Sequence, residues 1–129
     1  MHINDRKFKE WICNEIYEEK VSEDHYLLIL PFKLRSDDYL TLHIYDKMYN
    51  KIEISDGGQI MELLLVYNGL LKEDFNKDQN DFMGYIIESY NLTYSNETFS
   101  MLSDKDNLME DIMYFIQAII QLSLIDIFE

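Results

Sequence analysis

The order of apolar and polar positions divides the chain into segments with different periods. Phe8, Trp11, Ile12, Ile16 and Tyr17 recur at helical spacing behind Asn4 and Asp5, both good N-cap residues, which predicts a helix running to about Lys20. Residues 26–32 (YLLILPF) are a continuous apolar run and predict a strand, with Pro31 at its end or on an edge. Residues 39–45 alternate: Leu40, Leu42 and Ile44 fall on one side, Tyr39, Thr41, His43 and Tyr45 on the other. After a turn in DKMYN, Ile52 and Ile54 continue the buried face through residues 51–55. The simplest arrangement of these three strands is an antiparallel meander.

The period then changes from two to 3.6 across Ser55, Asp56, Gly57 and Gly58. Ser55 or Asp56 supplies a side-chain oxygen for a helix N-terminus, and the paired glycines allow a sharp change of direction. Ile60, Leu63, Leu64 and Tyr67 follow at helical spacing to a stop at Asn68-Gly69. A phosphate cradle competes for the same glycines. It needs a following Lys and Ser/Thr, or three spaced glycines, and Asp56 would repel its ligand. The four residues therefore read as a structural turn.

Residues 70–80 read as a polar connector, Phe82, Tyr85, Ile86 and Tyr90 as a shorter helix, and residues 92–102 as a small hairpin around Ser95-Asn96-Glu97. The last helix has the widest apolar stripe, with Leu108, Met109, Ile112, Met113, Phe115, Ile116, Ile119 and Ile120. Residues 103–106 precede it and supply acidic caps suited to its positive end. So wide a stripe predicts contact with the core and with a second element or subunit. The expectation is a single α+β domain over residues 1–129: an N-terminal helix, a three-stranded antiparallel meander, two helices, a short hairpin and a long C-terminal amphipathic helix.

Composition narrows the function classes. The chain has 47% apolar residues and one proline, which fits a folded domain, and its 10 tyrosines and 7 phenylalanines put rings in the core or an interface. Cys13 is the sole cysteine, so no disulfide framework exists and a reducing, cytoplasmic compartment is expected. The opening residues lack the apolar stretch of a secretory signal, and residues 112–124 are too short and too interrupted by Gln117, Gln121 and Ser123 to read as a membrane span. Twenty-five acids face 11 bases, a net charge of −14. Residues 65–129 hold 12 of the acids and only 3 of the bases. Such a surface repels phosphate backbones and anionic lipid. No direct nucleic acid and no membrane is expected as a partner, whereas a protein with a basic surface is favoured.

Four stretches carry a resemblance: Leu30-Pro31-Phe32, Ser55-Asp56-Gly57-Gly58, Asn68-Gly69 and Phe115-Ile116-Gln117-Ala118-Ile119. With them, over roughly residues 11–128, the chain resembles a small uncharacterised family, a domain of unknown function of low-GC Gram-positive bacteria and their phages. Leu30 before the proline and Gly58 in place of the acidic–glycine order depart from that family's text. The resemblance implies a bacterial or phage setting and no assigned activity.

Catalytic chemistry finds few parts. Cys13 sits on the helical pattern beside Trp11 and Ile12 and reads as a structural thiol. His2, His25 and His43 lack metal-ligand spacing, Asp37-Asp38 reads as a solvated turn, and Asp104 to Asn107 starts like a calcium loop without its glycine. A non-enzymatic protein without cofactor or metal is expected. Two binding readings follow. In one, the chain regulates or neutralises a protein partner, as an antitoxin or immunity protein does, through the sheet face of Tyr39, Thr41, His43 and Tyr45; that face also suits a homodimer. In the other, it is a DNA-mimicking inhibitor of a nucleic-acid enzyme, presenting Glu73, Asp74, Asp78, Asp81, Glu88, Asp104, Asp106, Glu110 and Asp111 in place of phosphates. An enzyme ranks third and would need clustered carboxylates near His43.

Overall fold

A computed structural model describes residues 15–128. Four strands follow one another, β1 (Tyr17–Ser22), β2 (His25–Lys33), β3 (Tyr39–Asp46) and β4 (Lys51–Ser55). Helices α1 (Gln59–Asn68) and α2 (Lys77–Ser89) come next, then β5 (Thr93–Ser95), β6 (Thr98–Asp104) and α3 (Leu108–Leu122). The sheet is antiparallel, in the order β1-β2-β3-β4-β6-β5.

The alternation of β3 and β4 decides which face is covered. Leu40, Leu42, Ile44, Ile52 and Ile54 are buried and join Phe99 and Met101 of β6 in one apolar layer. α1 adds Ile60, Leu63 and Leu64, and α3 adds Ile112, Phe115, Ile116, Ile119 and Leu122. The result is a two-layer α+β domain with all three helices on one side. By length and composition Lys105–Ile127 is apolar enough to cross a membrane; within it Ile112, Phe115, Ile116, Ile119 and Leu122 pack into the core, while Met109 and Ile120 of the stripe stay exposed.

The expected helix to Lys20 is not formed at its end. Tyr17–Ser22 is the edge strand β1, with Tyr17 opposite Ile29 and Lys20 opposite Tyr26. The local text YEEK favours a helix, but pairing to the apolar β2 overrides it. Residues 1–14 of that expectation lie outside the described residues. The meander therefore has four strands, not three, and β6 extends it beyond β4, so the expected hairpin is part of the same sheet. Residues 77–80, expected in a connector, form the first turn of α2, where Asn76 accepts from the Gln79 N–H and Gln79 in turn accepts from the Asn76 N–H. Nor do residues 103–106 cap α3. Ser103 and Asp104 belong to β6, and the Ser103 hydroxyl instead donates to Asp111 within α3 at 2.6 Å.

Three further polar ties fix the helices to the sheet. Where β4 has ended, the Gln59 amide continues the ladder: Thr41 N–H donates to its oxygen at 3.0 Å and its nitrogen donates to the Tyr39 carbonyl at 2.9 Å. Arg35 holds Asp126 bidentately, both bonds 2.9 Å, and Asn68 donates to the same carboxylate, so the loop after β2, the end of α1 and the turn after α3 meet there. Asp56 is the third tie. It is 1% exposed, and its carboxylate accepts from the N–H groups of Gly58 and Phe99 at 3.0 Å and of Ile60 at 3.2 Å.

Burial raises the Asp56 carboxyl above the usual value near 3.8, with those three donors pulling the other way. An acid whose value rises on folding contributes stability below its unfolded value and loses it as pH climbs through the folded one. Thermal unfolding across mildly acidic pH should therefore show wild type losing stability relative to Asp56→Asn as pH rises from about 4. Asp56→Ala leaves three buried donors without an acceptor and is expected to cost about 3 kcal/mol or more in urea unfolding.

Candidate functional site

β2 and β3 place a second set of side chains on the face the helices leave open. The register sets His25 opposite Tyr45, Leu27 opposite His43 and Ile29 opposite Thr41. These are the residues between the core positions Tyr26, Leu28, Leu42 and Ile44, so they point away from the core. Tyr17 of β1 extends the patch beyond Ile29, and Glu53 of β4 borders it at Tyr45. The centre is half-buried and apolar, and its rim carries charge, including the Lys47–Glu53 ion pair at 3.1 Å.

Rings order the middle of this face. His25 stacks on Tyr45 with centroids 4.3 Å apart, and one ring nitrogen donates to the other across the 3.0 Å between His25 Nε2 and His43 Nδ1. The other nitrogen of His43 faces the backbone of the turn after β4. A Cβ added to Gly57 would lie 2.3 Å from His43 Nε2. Gly57 also has φ +61° and Gly58 φ +83°, conformations that side chains rarely adopt. In the turn between β4 and α1 each of the four residues has a separate job. Ser55 ends β4 and its hydroxyl accepts from the Gly57 N–H, Asp56 anchors the helix, and the glycines let the backbone pass under an imidazole.

Of the four residues expected on the sheet face, Thr41, His43 and Tyr45 share the open face, and Tyr39 stands at its exposed end with the Lys33 ammonium 5.3 Å from its ring centre. Leu27 and Ile29 were missed because YLLILPF reads as uniformly apolar, and His25 because it stands just before that run; a period-two reading from residue 25 would have placed all three. The nine acids lie around two helical segments, most near their starts and Glu88 near the end of α2. Glu73, Asp74, Asp78, Asp81 and Glu88 lie before and along α2; Asp104, Asp106, Glu110 and Asp111 lie before and in α3. Five of them have partners within the chain: Asp74 accepts from the Leu71 N–H, Asp81 pairs with Lys77, Asp104 with Lys51, Asp106 with Asn50 and Asp111 with Ser103.

On the helix side, an apolar cleft of about 560 Å³ lies between Leu28, Ile44 and Ile52 of the sheet and Leu108 and Ile112 of α3, with the Asp46–Lys105 pair at its rim. Among the described residues no cluster of three or more His, Cys, Asp or Glu is placed to hold a metal ion. Among the described residues, His25 and His43 bond to each other and neither has a carboxylate or nucleophile bonded to it in an arrangement for proton transfer.

Burial, and then the charge of His25, hold the His43 imidazole below its usual value near 6.5. A base lowered on folding stabilises above its unfolded value and loses that contribution as pH falls through the folded one, so His43→Gln should flatten the loss of stability below about pH 6.5. Gly57→Ala should destabilise by about 2 kcal/mol through overlap and backbone strain. In a His43→Ala background only the strain remains, and the cost should fall to about 1 kcal/mol, a coupling that a double-mutant cycle reads directly.

No curated protein and no solved structure matches the chain. A family model does, over residues 30–122, and the stretches Leu30-Pro31-Phe32, Ser55-Asp56-Gly57-Gly58, Asn68-Gly69 and Phe115-Ile116-Gln117-Ala118-Ile119 all fall inside that span. Reaching from β2 to the end of α3, the match covers well over half of the sequence, and the chain belongs to the family described as domain of unknown function DUF1828.

Proposed function

We propose that this is a non-enzymatic binding protein that regulates or neutralises a protein partner through the open sheet face. The observation that carries the reading is the patch of Leu27, Ile29, His25, His43 and Tyr45, which none of the three helices covers. Aromatic and aliphatic side chains on a rigid sheet lose little entropy on docking, and a charged rim around an apolar centre is the usual build of an interface. The net charge of −14 favours a partner with a basic surface and speeds its encounter. A reducing, cytoplasmic setting in a bacterium or phage fits the sole cysteine and the family resemblance.

Mimicry of DNA draws less support from the same observations. Five of the nine candidate acids are already engaged within the chain, two in ion pairs with Lys77 and Lys51 and three in hydrogen bonds, as acids are in any solvated domain.

Affinity capture from the native host, read at low and high salt, separates the readings. A stoichiometric partner retained in high salt and lost with Leu27→Asp is the expected result. Loss of the partner with salt alone, and with Asp81→Asn plus Glu88→Gln rather than with Leu27→Asp, would overturn it in favour of the mimic.

A further inference from the structure

β6 is longer than the strand beside it. β5 pairs with it only at Thr98, Phe99 and Ser100, and the chain leaves this ladder at Asn91, which has φ +53°. From Met101 to Asp104, β6 has β4 on one side and no described strand on the other. The Phe99 carbonyl accepts from the Asp56 N–H, so Phe99, Met101 and Ser103 turn their backbone groups toward β4. Alternation turns those of Leu102 outward, to the free edge. Leu102 is also 63% exposed, high for a leucine in the body of a sheet.

This edge forms one wall of a groove of about 580 Å³. α2 contributes Tyr85 and Tyr90 to it, and α3 contributes Asp111, Tyr114 and Gln121. Its far wall is held in place: Gln121 donates to the Tyr90 hydroxyl at 2.7 Å, and the Tyr90 and Tyr114 rings meet edge-on at 6.4 Å. Tyr85 and Tyr114 are 67% and 56% exposed, so two aromatic rings without core duties converge on the groove beside the edge, while the Leu102 side chain stands opposite Glu53 on the other face of the sheet. The single charged residue lining it is Asp111, within a half-chain of 12 acids and 3 bases.

We propose that the groove binds an extended, basic segment of a protein partner, which adds as a strand along β6 at Leu102. A segment of about four residues spans the free length. Its backbone pairs with the outward N–H and C=O of Leu102, and alternate side chains enter the groove. There a lysine or arginine meets tyrosine faces and the Asp111 carboxylate, which rewards a cation twice. The negative field of this half of the chain rejects an acidic strand. The inference goes beyond the sheet-face reading and does not rest on it, because Leu27 and Tyr45 lie on β2 and β3, away from this edge.

Titration of the isotope-labelled full chain with the capped peptide Lys-Val-Lys-Val-Lys, followed by amide chemical shifts, tests it. Saturable shifts are expected at residues 101–104, 85–91 and 111–121, with the counterpart Glu-Val-Glu-Val-Glu silent. Leu102→Pro removes the outward N–H where an edge strand tolerates proline, and Tyr85→Ala removes an exposed ring; each should weaken binding about tenfold in an otherwise native spectrum. Leu27→Asp should leave it unchanged. Shifts that never saturate, that scatter over acids on all faces, that move to the sheet face, or that survive both groove variants would overturn the proposal.

Discussion

One buried carboxylate organises the join between the sheet and its helices. Asp56 follows β4, donates its own N–H to Phe99 of β6 and accepts from Phe99, Gly58 and Ile60. It therefore closes the β4–β6 ladder and anchors the first turn of α1 in the same few ångströms. The path the chain takes between the two faces is set at this point. α1 is sent to the side of Ile54 and Leu64, while Gly57 is carried beneath the His43 imidazole on the other. A carboxylate is costly to bury, but backbone donors converging on it offset much of that cost and fix a direction that an apolar contact cannot.

How much of this was legible depended on whether the deciding interactions were local. The strands β3 and β4 were readable because burial on one side imposes a two-residue alternation on their text. α1 and α3 were readable because their stripes are wide. The turn at residues 55–58 was legible because its need for a cap and for positive φ is written in the residues themselves. β1 was not, since Tyr17-Glu18-Glu19-Lys20 is a good helical tetrad until β2 is present to pair with it. β2 was half legible. An apolar run hides its own alternation, and so Leu27 and Ile29 were not separated from Tyr26, Leu28 and Leu30. The groove beside β6 was invisible for another reason: it depends on β5 being shorter than its neighbour, a matter of tertiary geometry.

Charge and surface chemistry in this molecule divide by element. Several acids are already spent on N–H groups and lysines nearby, and the open sheet face is ringed rather than filled by charge. Helix starts favour negative charge and interfaces favour aromatic and aliphatic side chains with little rotamer entropy. On the proposed reading the acidity would set the kind of partner and the speed of approach, and the face its grip. The His25–His43–Tyr45 stack makes the face rigid before anything docks, which lowers the ordering cost of binding.

The open face is the claim on which the functional reading stands. A soluble paramagnetic reagent added to the methyl-labelled chain probes it directly, because relaxation of each methyl reports its distance from solvent. Leu27 and Ile29 should relax far faster than Leu42 and Ile54, which are at 0% exposure under the helices. Equal protection of the two sets, at protein concentrations where the chain is a monomer, would mean that the face is already covered, and would contradict the reading of it as a surface held open for a partner.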